Sequence, residues 1–221
     1  MARATAPAQQ AGAAIVKVPA YWAQATRELS ARDPVMRKIA AASKGLTLRS
    51  RGDAFTTLAR SIVGQQISVK AADSVWQKLC SALPVLEPAS IDSHDAQALR
   101  ACGLSRSKVV YLKDLAKHFS GGLFNPETWP QMSDADLIEE LTRVRGIGRW
   151  TAEMFLIFYM TRPDVLPLGD LGLQKAMRLH YNRGRPLAAR RLDALDKLWQ
   201  PWRSVATWYM WRSLDPIPVE Y

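Results

Sequence analysis

The 221-residue chain is poor in several things at once: it has two cysteines, three histidines and no run of about 18 apolar residues of the kind a membrane-spanning helix needs. Each scarcity excludes a class of protein. Cys80 and Cys102 cannot supply a four-cysteine zinc site or an iron–sulfur cluster and are too few for a disulfide framework, so both read as small buried hydrophobes. His94, His118 and His180 are widely separated, lack metal-ligand spacing, and read as structural or exposed side chains. No Gly-x-x-x-x-Gly-Lys-Ser/Thr loop and no zinc-deaminase signature occurs, which removes two routes to nucleotide chemistry. The Ala-rich opening, Met1 to Ala14, lacks the apolar core of a secretory signal, and residues 1–17 read as a disordered leader. An intracellular protein is expected, of the cytoplasm or nucleoid in a bacterium and of the nucleus in a eukaryote.

Acidic side chains are also in the minority, twenty Asp and Glu against thirty Lys and Arg, a net charge of +10. Such a surplus favours a polyanionic partner through counterion release, nucleic acid first among them. A solvated basic surface is the plainer alternative. With no lysine block or basic tail, a folded basic face is expected in place of a disordered arm or a membrane-surface anchor.

Apolar residues recur at helical spacing from Tyr21 onward, and the pattern predicts helices at about 20–30, 33–43, 53–64, 69–82, 93–101, 106–119, 134–143, 149–160, 171–181, 187–199 and 202–213. Asp53, Ser68, Ser93, Ser105 and Ser133 are suited to cap the helices that follow them, and Gly121 and Gly122 offer the positive φ at which a helix ends. Phe55, Leu58, Ile62 and Val63, and again Val109, Leu112, Leu115, Ala116 and Phe119, form stripes that belong in a core. Strand signals are confined to a weak segment from Gly45 to Arg51 and a short extended run from Val165 to Leu168. An all-α fold follows, with no 30- to 45-residue repeat to suggest a solenoid.

The informative segment is Leu141-Thr-Arg-Val144-Arg-Gly146-Ile147-Gly148-Arg149-Trp150-Thr151-Ala152. Two glycines around one aliphatic residue allow a tight hairpin, with Ile147 tucked between two helices and backbone N–H groups turned outward. At the start of the second helix those donors and the positive dipole end favour an anion, and a nucleic acid phosphate fits. Such a contact anchors a backbone without reading bases. Arg145 and Arg149 flank it, either as added charge for the phosphate or as solvated surface residues.

The full pattern Leu-x-x-Val-x-Gly-Ile-Gly-x-x-Thr-Ala resembles the helix-hairpin-helix motif of the DNA glycosylase superfamily. The resemblance extends over roughly residues 20 to 215. Leu58 to Ser68, containing Gly64-Gln65-Gln66, is similar to the family's helix-turn segment that supplies an intercalating wedge. Gly103 to Lys108 is similar to another family signature, and Pro201 to Trp211 to the closing helix of the DNA-3-methyladenine glycosylase II branch.

That resemblance implies a two-lobed, all-helical fold with the active site in the interlobe cleft. Residues 18–54 would pack with the C-terminal lobe, 161–221, and 55–160 would form the central lobe carrying the hairpin at 141–152. It implies that Asp170, 22 residues after Gly148 and at the start of the next helix, is the catalytic carboxylate. An N-cap role suits the same position, and the two do not exclude one another. Where the strand-cleaving branch has a lysine able to form a Schiff base, this chain has Trp150, so a monofunctional enzyme that uses water and leaves an abasic site is implied.

Trp150 and Trp211 are implied to line the base pocket, where indole faces attract a cationic alkylated purine such as 3-methyladenine or 7-methylguanine; core packing is the alternative for each. Met154 is implied there too, where the branch has an aromatic residue. Gln66 is the implied wedge that fills the stack vacated by a flipped base, with Gln65 supporting the turn; an ordinary polar turn is the alternative. Gly146, Ile147, Gly148, Arg149 and Thr151 are implied to bind a DNA phosphate, with no catalytic metal or cofactor and at most a monovalent cation bridging hairpin and phosphate. The expected partner is double-stranded DNA holding a damaged base, bound by a monomer away from any membrane. A glycosylase for a neutral lesion (uracil, hypoxanthine or ethenoadenine) and a non-catalytic DNA-binding module are the competing readings.

Overall fold

In a computed structural model of the chain, the structure describes residues 18–50, 52–83 and 85–214; the leader 1–17 lies outside them. Among the described residues the architecture is all-α: α1 (Trp22–Arg32), α2 (Pro34–Ala42), α3 (Ala54–Gly64), α4 (Val69–Ala82), α5 (Pro88–Ser93), α6 (Ala96–Ala101), α7 (Arg106–Ser120), α8 (Asp134–Thr142), α9 (Arg149–Phe158), α10 (Leu171–Asn182), α11 (Ala189–Trp199) and α12 (Arg203–Leu214), with one 3-10 turn at Trp129–Gln131. None of these helices is long and apolar enough to cross a membrane.

Local chemistry explains most boundaries. Asp53, Ser68, Ser105 and Ser133 each accept a backbone N–H two or three positions into the following helix. Ser93 does not cap. It ends α5, and Asp95 caps α6 by accepting from Gln97 and Ala98, so the predicted single helix at 93–101 is two short helices with a break at His94. Gly121 closes α7 at φ −83°, and only Gly122 takes a positive φ, +70°. Among the described residues, 46–49 and 165–168 form no strand; Ser50 is a single bridge residue, and Arg51 lies outside the described residues.

α3 packs against α4, α7 and α9; α5 and α6 lie on α7, and α8 on α9. A second group forms around α12, which packs on α1, α2, α10 and α11. The predicted stripes of α3 and α7 are buried, with Phe119 half-buried and edge-on to Phe55, Phe124 and Trp129. Polar ties join the chain's two ends: Tyr21 donates to the Thr161 carbonyl at 2.7 Å, Trp202 to Glu28 at 2.6 Å, and buried Asp33 accepts from Tyr181 at 2.6 Å and Trp199 at 3.1 Å. Cys102 is buried, as its composition suggested, but Cys80 is exposed on the outer face of α4. No cluster of three or more potential metal ligands occurs among the described residues.

Candidate functional site

α9, α10 and α12 meet at one carboxylate. Asp170 stands at the N-cap of α10 with extended backbone, and its Oδ1 accepts the Leu173 N–H at 2.6 Å, closing the first turn. The same carboxylate takes the Trp211 indole N–H of α12 on Oδ1 and the Trp150 indole N–H of α9 on Oδ2, each at 2.8 Å. Three N–H donors from three elements therefore fix the orientation of a half-buried side chain. A carboxylate offers about four acceptor positions, so roughly one is left for a water or substrate.

The rings are fixed as well as the acid. Trp211 stacks on Phe158 at 5.7 Å between centroids and 12° between planes, while Trp150 remains 40% exposed at the surface. Trp150, Met154 and Phe158 are spaced four apart along α9 and share a face, Met154 buried and Trp150 exposed. Close approach of Trp211 to Asp170 depends on Gly172: a Cβ there would lie 3.1 Å from Asp170 Oδ1 and 3.3 Å from the indole Cδ1. No motif in the sequence marks Phe158 or Gly172. The α9 periodicity carries Phe158 in principle, but nothing local distinguishes Gly172 from an ordinary helical glycine.

A second acid lies on α9. Glu153 is only 6% exposed and its Oε1 accepts from Arg149 Nε at 2.9 Å, the Arg149 head itself lying in solvent. Burial pushes the Glu153 carboxyl above the usual glutamate range, with Arg149 opposing the shift and the nearby Asp170 charge adding to it. Sequence alone offered no reason to expect a buried glutamate one turn after an exposed tryptophan.

At the hairpin, Val144 and Ile147 are buried between α8 and α9, and the Ile147 N–H returns to the Val144 carbonyl at 3.1 Å. Gly146 takes φ +83°, which favours glycine, and the Tyr111 ring occupies the space where its Cβ would be. Gly148 is different: its φ of −90° suits any residue, and no atom lies within 4 Å of where its Cβ would be. It is the N-cap of α9 without a side-chain cap bond, so the first-turn N–H groups lack that partner. Arg149 is exposed beside them, whereas the Thr151 side chain is turned inward at 6% exposure, leaving only its main-chain N–H to offer a ligand.

The Gln65 and Gln66 turn lies beside this hairpin. Gln66 is exposed and holds φ +59°, a left-handed conformation uncommon without glycine. Gln65 Nε2 donates to the Gly146 carbonyl at 2.8 Å, so its amide ties to the hairpin backbone and not to its own turn.

This combination of a glycine hairpin opening one helix and an indole-held aspartate opening the next defines a helix-hairpin-helix DNA repair fold. Residues 59–201 match the HhH-GPD superfamily of base excision DNA repair proteins, and the chain belongs to that superfamily. It is similar to DNA-3-methyladenine glycosylase 1 of Schizosaccharomyces pombe, 34% identical over 167 residues that cover 72% of each chain. A DNA-3-methyladenine glycosidase structure from Bacillus halodurans superposes with a TM-score of 0.80 at 28% identity, covering 90% of this chain and 92% of that one. The S. pombe 3-methyladenine DNA glycosylase (Mag1), solved in complex with abasic DNA, gives 0.70 at 28% identity, covering 89% and 100%.

Proposed function

We propose that this chain is a monofunctional DNA glycosylase that excises alkylated purines from double-stranded DNA, acting as an intracellular monomer. The observation that carries the reading is the Asp170 carboxylate, held by the Trp150 and Trp211 indole N–H groups at 2.8 Å each. Breaking the N-glycosidic bond sends its electron pair to the departing base and leaves positive charge on the sugar. An oriented carboxylate stabilises that charge, and its remaining acceptor position suits the water that forms the new bond to C1′ and then sheds a proton. An alkylated purine already carries positive charge, so it departs as a neutral base without a separate general acid. The exposed indole surface of Trp150 suits stacking of such a cation.

No lysine stands at position 150, so no amine there can form a Schiff base, and the expected product is an intact strand with an abasic site. The uncapped start of α9 and exposed Arg149 suit a backbone phosphate, and the family resemblance implies at most a monovalent cation bridging it to the hairpin. The similar proteins named as 3-methyladenine glycosylases support the substrate class.

The test is release of free bases from methylated duplex DNA, followed by chromatography, for the wild type and Asp170→Asn, with strand breaks scored without alkali. The expected result is 3-methyladenine or 7-methylguanine from the wild type, none from a folded and DNA-binding Asp170→Asn, and no breaks. Release of hypoxanthine, uracil or ethenoadenine in place of alkylpurines would replace the substrate class, and equal release by Asp170→Asn would remove Asp170 from the chemistry.

A further inference from the structure

The turn at Gln65–Gln66 and the glycine hairpin come from distant parts of the chain, yet they are joined by a set of polar ties that the excision chemistry at Asp170 does not use. Gln65 Nε2 reaches across 81 positions of sequence to the Gly146 carbonyl. Lys108 of α7 places its Nζ 2.7 Å from the Val63 carbonyl, in the last turn of α3 just before the glutamines. Three residues further along α7, Tyr111 fills the space beside Gly146, and three further again Asp114 Oδ2 accepts the Arg145 N–H at 2.8 Å. Lys108, Tyr111 and Asp114 thus share one face of α7, and that face holds the end of α3 at one side and the hairpin at the other.

The Lys108 contact is informative about purpose. A lysine beside a phosphate-binding surface ordinarily keeps its ammonium in water, but here it is spent on a main-chain carbonyl, and burial pulls its amine below the usual lysine range. Gln66 is kept at φ +59°, a conformation that persists where its surroundings over-determine it. Both ties, through Val63 and through Gln65, act on the residues immediately before it and hold the chain as it enters that turn.

We propose that Gln65 is a positioning residue: with Lys108 it braces the Gln66 turn against the hairpin, so that capture of the DNA phosphate and insertion of Gln66 into the base stack occur in fixed register. This rests on the reading of Gln66 as the group that fills the vacated stack. The brace acts on base extrusion and not on the bond-breaking step. Its loss therefore costs activity only where a paired base has to be extruded.

The experiment compares Gln65→Met, which keeps the side-chain length and removes the donor, with Lys108→Met, Gln66→Ala and the wild type. Single-turnover excision is measured on 7-methylguanine opposite cytosine and on the same lesion opposite a tetrahydrofuran abasic analogue, where no pairing is left to break. Duplex affinity and the thermal midpoint are measured alongside. Misplacement of a positioned group by about 1 Å costs up to about 100-fold, so Gln65→Met and Lys108→Met are expected to slow the paired substrate by roughly 10- to 100-fold and the unpaired one by less than about twofold. Equal losses on both substrates, or a loss that tracks the thermal midpoint, would overturn the brace. Selectivity for the unpaired substrate in Gln66→Ala but not in Gln65→Met overturns the brace alone. No selectivity in Gln66→Ala overturns the wedge reading and the brace with it. If Gln65→Met does not fold, Lys108→Met decides the question by the same criteria.

Discussion

Alanine at Gly146 has to hold a Cβ-bearing residue at φ +83° and to push its methyl into the Tyr111 ring. The left-handed backbone costs about 1–2 kcal/mol for an L-residue, and forcing extra volume against a packed side chain typically costs 1–3 kcal/mol. Tyr111 is half-buried and can swing partly aside, so about 3 kcal/mol is expected, a fall in thermal midpoint of roughly 6–12 °C for a chain of this size. In a Tyr111→Ala background the steric part disappears and the backbone part stays, so Gly146→Ala should then cost only about 1–2 kcal/mol. Alanine at Gly148 meets neither obstacle. Its φ of −90° is ordinary and its Cβ would enter open space, so stability should stay within about 1 kcal/mol of the wild type. That open space is where a phosphate would approach the α9 N-terminus. Loss of one charge-assisted contact there, about 1.5 kcal/mol, predicts at least roughly tenfold weaker duplex binding. Calorimetry on the four hairpin variants and fluorescence anisotropy on a tetrahydrofuran-containing duplex give both numbers. A Gly146→Ala cost that is unchanged by Tyr111→Ala would refute the packing argument, and full DNA affinity in Gly148→Ala would refute the phosphate site.

Other consequences are equally measurable. Trp211→Phe keeps a ring against Phe158 but removes the donor to Asp170 Oδ1, and single-turnover excision should fall roughly 10- to 100-fold, the worth of one hydrogen bond to a charge, while duplex affinity holds. Because burial raises the Glu153 carboxyl above its ordinary 4.5, the folded state binds that proton more tightly than the unfolded one. Stability from this group is therefore present below 4.5 and is lost as pH rises through the raised folded value. Glu153→Gln should then gain on the wild type as pH rises, with urea midpoints converging in acid; an advantage that persists or grows in acid would contradict the assignment. Asp33→Ala removes the α2 cap and strands the Tyr181 hydroxyl and the buried Trp199 indole N–H. A cap is worth about 1 kcal/mol and each of the two stranded donors about 1–3 kcal/mol, so a loss of roughly 3–7 kcal/mol by urea unfolding is expected.

The chain's own order of residues determined what depends on a few neighbouring positions. Helix starts at Asp53, Ser68, Ser105 and Ser133 were legible because a short side chain accepting an N–H three residues on is a local event. The hairpin was legible for the same reason, and the aspartate after it by its spacing in the family pattern. Ser93 misled because Asp95, two residues later, caps more effectively with a carboxylate that accepts two N–H groups, and proximity in sequence could not rank the two. Only tertiary structure decided that Trp150 and Trp211 aim their N–H groups at one carboxylate, that Glu153 is buried, and that Gln65 bonds a carbonyl 81 residues away. The two hairpin glycines make the division plain. Identical in sequence, they differ in what stands beside them: Tyr111 of α7 beside one and open space beside the other, an outcome of helix packing that no pattern of neighbouring residues encodes.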